Sequence, residues 1–121
     1  MEDEFERLAG FIKHQNKVAL ASALDEILEG EVRFAIDYQE ANTGNTLLHI
    51  AAQGGSKLMV KSILRNGSQL NLQNSRGNTA LHFCFKYQYK ELGEYLISKG
   101  ADDSIRNADG LLCREMIPGL V

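Results

Sequence analysis

Apolar residues recur at helical spacing near the start of the chain. Phe5, Leu8 and Ile12 fall three and four apart, as do Leu20, Leu24, Ile27 and Leu28, with Gly30 placed to stop the second run. The spacing predicts a pair of short helices ahead of Gly30. Farther on, the pattern repeats itself: Gly44-Asn45-Thr46-Leu47-Leu48-His49 returns as Gly77-Asn78-Thr79-Ala80-Leu81-His82 at an offset of 33. Ile63-Leu64-Arg65-Asn66-Gly67 returns at the same offset as Leu96-Ile97-Ser98-Lys99-Gly100, and Gly110 continues the series of Gly44 and Gly77. A fixed period of this length belongs to arrays of small helical units that bury their apolar faces by stacking.

Within each unit, Thr46 and Thr79 stand where an inner helix would begin, so that each hydroxyl can accept from the unpaired N–H groups of the first turn. His49 and His82 follow one turn later, within reach of the threonine and of the next unit's backbone. Gly67 and Gly100 come after the apolar runs of the outer helices and suit the left-handed residue that closes a helix. The run Phe83 to Tyr89 alternates with period two and would read alone as a strand, but the register puts it on a helix. Asp37-Tyr38-Gln39 echoes Asn71-Leu72-Gln73 one residue out of step with the following glycine, which predicts a longer loop there.

The succession G-x-T-x-L-H, then A-A-x-x-G, then a paired apolar run closed by glycine, resembles the ankyrin repeat over Gly44 to Asn74 and Gly77 to Asn107, and more weakly over Asp109 to Ile117. That resemblance implies an all-α, helix-turn-helix solenoid with short hairpin turns between repeats. It divides the chain into an N-terminal helical cap or degenerate first repeat (1–41), repeats at 42–74 and 75–107, and a truncated C-terminal capping repeat (108–121). The first full repeat keeps Ala51, Ala52, Gly55 and Val60 at the family's small and apolar positions. The second has Phe85 at the second alanine, Gln88 at the glycine and Gly93 at the valine. Arg114 and Glu115 occupy the positions of Leu81 and His82, as a polar end cap would, and Pro118-Gly119 is expected to break the last helix.

In the register of the resemblance, the concave face takes Ile50 and Gln53 from one repeat and Phe83, Lys86 and Tyr87 from the next. An aromatic pair beside a lysine has the composition of an interaction hot spot, and Arg76 at a hairpin tip would steer an acidic segment toward it. The alternative is that Phe83 packs between repeats and only the tyrosine tip is exposed. The resemblance also matches Asn71, at the start of a hairpin, with the asparagine that is hydroxylated in other ankyrin-repeat proteins.

Composition narrows the remaining functions. The chain is 44% hydrophobic and 24% charged, as ordinary globular proteins are, and its net charge of −3 has the wrong sign for nucleic-acid binding. Residues 1–41 carry 10 acidic and 4 basic side chains, whereas residues 42–121 carry 6 acidic and 9 basic, so the repeats are mildly basic. No apolar run is long enough to span a membrane, and the acidic start Met1-Glu2-Asp3-Glu4 is unlike a signal peptide, which predicts the cytoplasm or the nucleus. Cys84 and Cys113 are too few for a disulfide framework and lack zinc-site spacing.

His49 and His82 would lie about 10 Å apart along a stack, too far to share a metal. Cys84 does not face His82 on a helix, Gly54-Gly55 lacks the lysine and hydroxyl of a phosphate loop, and Asp102-Asp103 falls at a solvated turn. The expectation is a non-catalytic, monomeric protein-protein interaction module, an adaptor or scaffold, with no metal and no cofactor, binding a partner protein through its concave face. The alternative is a regulatory or targeting domain cut from a larger multidomain protein such as an enzyme, with which the apolar end Gly119-Leu120-Val121 is consistent.

Overall fold

The computed structural model of the protein describes residues 2–28 and 35–116. The side chains of Ile27 and Leu28, the stop expected at Gly30 and the end of the chain from Pro118 to Val121 lie outside the described residues.

Helix α1, Glu2–Lys13, has Glu2, Asp3 and Glu4 in its first turn and Lys13 in its last, so its charges oppose the helix dipole at both ends. Its apolar stripe buries Phe5, Leu8, Ala9 and Ile12. Helix α2, Lys17–Leu28, begins after Asn16, whose Oδ1 accepts from the Ala19 N–H at 3.1 Å, and it buries Leu20, Ala23 and Leu24. Two shorter helix pairs follow: α3, Leu47–Gly54, with α4, Lys57–Arg65, and α5, Ala80–Lys86, with α6, Lys90–Ser98. A single 3-10 turn, Cys113–Glu115, ends the described chain, and no strand occurs among the described residues. The run Phe83 to Tyr89 is therefore helical as far as Lys86 and then turns.

Helices α1, α3 and α5 form an inner layer in which α1 packs on α3 and α3 on α5, while each also packs on its outer partner α2, α4 or α6. The 3-10 turn closes the far end against α5. Between the layers lies one continuous core that includes Leu8, Leu24, Leu47, Ile63, Leu81 and Leu96.

Each pair turns through one left-handed residue, Gln15 at φ 58°, Gly55 at φ 74° and Gln88 at φ 67°. Only the middle pair has glycine at this strained backbone. Gly67 and Gly100, at φ 91° and 107°, follow the outer helices α4 and α6.

Candidate protein-binding face

The inner helices are fixed to the loops by buried polar ties. Thr46 caps α3, accepting from the His49 N–H at 3.4 Å, and His49 Nδ1 accepts from the Thr46 N–H at 3.1 Å. Because Nδ1 accepts, the proton of the neutral ring sits on Nε2, which donates to the carbonyl of Asn78 at 2.9 Å. His49 thus joins its own helix start to the next unit. At the following turn His82 Nδ1 accepts from the Thr79 N–H at 3.0 Å and Nε2 donates to the Leu111 carbonyl at 2.9 Å. The Thr79–His82 capping box closes the start of α5, and the His82 N–H also reaches the Thr79 carbonyl at 3.1 Å. Burial pushes both imidazoles below the ordinary histidine range.

The loops repeat in the same register. Ser75 N–H donates to the Thr43 carbonyl and Ala108 N–H to the Arg76 carbonyl, both at 2.9 Å. Asn74 Oδ1 accepts from the N–H groups of Arg76 and Asn78, and Asn107 Oδ1 from those of Asp109 and Leu111. Their amide nitrogens reach back to Asn45 and Asn78, each at 2.9 Å. Gln39 donates to the Gln73 carbonyl and Gln73 to that of Arg106, which aligns Gln39 with Gln73 and leaves one extra residue before Gly44. The longer loop recruits Glu40, whose carboxylate accepts from Asn42 N–H, Thr43 N–H and the Thr43 hydroxyl, while Thr43 Oγ1 accepts from Asn45 N–H. Those donors hold the Glu40 carboxyl below its usual range. Asn71 is exposed and its Oδ1 accepts from the Asp102 N–H at 2.8 Å, tying one hairpin to the next.

On this frame four of the residues expected on the concave face come together. Gln53 Nε2 lies 3.5 Å from the Tyr87 hydroxyl, and Lys86 Nζ is 5.6 Å from the centre of the Tyr87 ring. Tyr87 remains 39% exposed, while Ile50 sits part-buried one turn before Gln53. Phe83 corrects the expectation of an exposed aromatic pair. It is only 8% exposed, with its ring edge-on to His49 at 5.7 Å and 6.3 Å from Tyr87. A side chain of that size on the inner helix reaches the neighbouring unit and packs there, so it supports the face from beneath. Arg76 stands on a different element, the exposed tip of the loop before α5.

A groove of about 820 Å³ between α1 and α3 contains Ile50 and Gln53 and adds Glu6, Lys13, Glu40 and Thr43, which sequence reasoning left out. The N-terminal pair carries no copy of the G-x-T-x-L-H signature, so nothing in the 33-residue period marks α1 as part of this face. The helical stripe of Phe5, Leu8 and Ile12 was the available signal, since a buried stripe fixes which residues point elsewhere.

Neither cysteine is poised as a nucleophile. Burial pushes the Cys84 thiol up to about 12, far from a reactive thiolate, and the buried Cys113 thiol is also raised. Among the described residues no group of histidine, cysteine or carboxylate side chains could hold a metal ion, and no helix is long and apolar enough to cross a membrane.

Comparison with known proteins places this frame in a family. The chain is 32% identical over 68 residues to the ADP-ribosylation factor GTPase-activating protein AGD2 of Arabidopsis thaliana, covering 56% of this chain and 9% of that protein. It is 31% identical over 91 residues to NF-kappa-B inhibitor zeta of Homo sapiens, covering 69% of this chain and 13% of that protein. The chain therefore spans a small part of the length of these curated relatives. Among solved structures, the ankyrin repeat domain of Bcl-3, a member of the IkappaB protein family, shares the fold with a TM-score of 0.77 at 23% identity, over 93% of this chain and 46% of that one. Residues 15–107 match the family model of ankyrin repeats in three copies, and the chain belongs to the ankyrin-repeat family.

Proposed function

We propose that this chain is a non-catalytic module that binds a partner protein on the concave face formed by α1, α3 and α5. The observation that carries the reading is the cluster of Tyr87, Gln53 and Lys86 at the edge of the groove that Ile50 helps to line. A half-exposed tyrosine held by a neighbouring amide is a rigid anchor with a polar tip, and its ordering cost is small because two torsions define it. The groove offers both Glu6 and Lys13, so the partner segment on that side is mixed in charge, whereas Lys86 and Arg76 favour an acidic segment at the other.

The unit boundaries at 42, 75 and 108 belong to this proposal, as do a monomeric state and a place in the cytoplasm or nucleus. So does hydroxylation of Asn71, which a 16 Da mass increase on its peptide from the native cell would test. A second reading is favoured by the small share of each relative that the chain covers: the module acts as a regulatory or targeting part of a larger protein. Affinity capture from native extract, followed by mass spectrometry, tests the concave-face reading. A partner recovered by the wild type and lost with Tyr87→Ala supports it; identical recovery by both contradicts it.

A further inference from the structure

The outer surface carries a feature that the concave face leaves unused. Helix α4 sets Lys57, Lys61 and Arg65 four residues apart, one stripe of cations on a helix that contains no acidic residue. Like charges at this spacing repel each other, so the stripe works against its own helix. Across from it, the Tyr95 ring of α6 gathers three ammonium groups, with Lys57 Nζ at 4.6 Å, Lys61 at 5.7 Å and Lys99 at 5.6 Å from the ring centre. The face of one ring attracts each of them but leaves three charges crowded together. Among the described residues, no carboxylate lies within ion-pair distance of Lys57, Lys61, Arg65 or Lys99.

The stripe also runs between two open grooves. One, of about 550 Å³, lies between α4 and α6, with Tyr95 on its wall; the other, of about 350 Å³, lies between α2 and α4. Lys61 and Arg65 line both, which makes them one continuous surface. Leu58 and Val18 line the second groove and are 59% and 81% exposed, the two most exposed large apolar side chains among the described residues. Unneutralised cations alone would suit any polyanion. Cations beside exposed aliphatic side chains and shallow grooves suit an anion that also carries apolar groups.

We propose that this outer face is a second docking surface, which takes an acidic segment of another protein. Its carboxylates sit on the stripe and on Lys99, and an apolar side chain covers Leu58 and Val18. The test is fluorescence anisotropy on the full chain, with a labelled peptide of glutamates carrying a leucine at every fourth position. Binding is expected to saturate and to weaken as salt is raised. K61E/R65E should lose at least about tenfold in affinity and K61A/R65A should lose in the same direction, since both remove attraction at the middle of the stripe. Leu58→Ser should weaken binding several-fold, whereas Tyr87→Ala on the other face should leave it unchanged. Circular dichroism checks the fold of each variant, and K61A/R65A decides the matter if the charge reversal does not fold.

Undiminished affinity in K61A/R65A overturns the proposal, and so does an equal loss with Tyr87→Ala. A labelled oligonucleotide that binds more tightly than the peptide overturns it in favour of nucleic acid. Sedimentation that shows a dimer dissolved by K61E/R65E overturns it in favour of a second copy of this chain. The outcomes for K61A/R65A, the oligonucleotide and sedimentation stand whether or not the concave face binds a partner.

Discussion

The pairs α3–α4 and α5–α6 have the same shape but solve their packing differently. In the first, Ala52 and Val60 are both fully buried, and glycine at position 55 takes the left-handed turn. In the second, the equivalents are Phe85, Gly93 and Gln88. A Cβ added at Gly93 would lie 2.9 Å and 3.0 Å from atoms of the Phe85 ring, so the large residue occupies the space that the missing side chain leaves. Arg114 covers the same ring from outside, its guanidinium 4.9 Å from the centre. What stays constant between the pairs is the polar frame, with histidine to the next unit's carbonyl and asparagine to the loop N–H groups. The comparison teaches that repeat register resides in buried hydrogen bonds, which admit few residue types, while apolar volume can be exchanged between partners.

The largest effect is expected where the frame itself is cut. His49→Ala leaves the buried Thr46 N–H without its partner, at about 1–3 kcal/mol, and takes one of two donors from the Asn78 carbonyl, which keeps only the Asn74 N–H. Urea denaturation should show the loss as an earlier midpoint, and an unchanged midpoint would move the register out of the histidine ties.

Next in size is the exchange of volumes. Gly93→Val, which copies Val60 into the second pair, should destabilise by about 1–3 kcal/mol through overpacking against Phe85. The double variant Phe85→Ala with Gly93→Val should recover much of that loss. Additive single effects in this double-mutant cycle would mean that the two positions are not compensating.

A smaller effect is expected from acid. The folded His49 and His82 rings have pKa values below the ordinary one, because burial penalises their charge. As the pH falls below about 6.5, the unfolded chain takes up protons first. Stability should therefore be full above that pH and decline below it, and the decline should be shallower in His49→Ala. Thermal midpoints between pH 7 and pH 5 measure it; equal slopes in the two proteins would locate the acid sensitivity elsewhere.

The smallest change concerns the turn. Gln88→Gly relieves a left-handed non-glycine residue but adds freedom to the unfolded chain, for a net gain of up to about 1 kcal/mol. Gly55→Gln should not be its mirror image: a Cβ at Gly55 would lie 2.6 Å from atoms of the Tyr89 ring, so that substitution costs more than backbone strain alone.

Much of the frame was legible because its residues are chemically constrained. Few side chains both accept from a helix-start N–H and donate to a carbonyl beyond, so the threonine and histidine offsets announced the register. Gly67 and Gly100 were legible for the same reason, since their φ values suit glycine. The Phe85–Gly93 exchange was not, because the two residues sit on different helices and each alone looks like a departure from the repeat. Exposure was harder still. Phe83 and Tyr87 lie one turn apart with similar chemistry, yet only the second faces solvent, a difference set by where the neighbouring unit's His49 stands. The α1 side of the groove and the gathering of Lys57, Lys61 and Lys99 at Tyr95 depend on how units stack, which a single repeat's sequence does not encode.

The most direct test of the account is a titration of the captured partner against the wild type, Tyr87→Ala and Arg76→Glu, with Ser22→Lys on α2 as a control. Tyr87→Ala should weaken the complex by about 2 kcal/mol, roughly thirtyfold, while the thermal midpoint stays nearly unchanged. Arg76→Glu should also weaken it and flatten its salt dependence. If Tyr87→Ala binds like the wild type, or the control weakens the complex as much as the concave changes do, recognition does not run through this face.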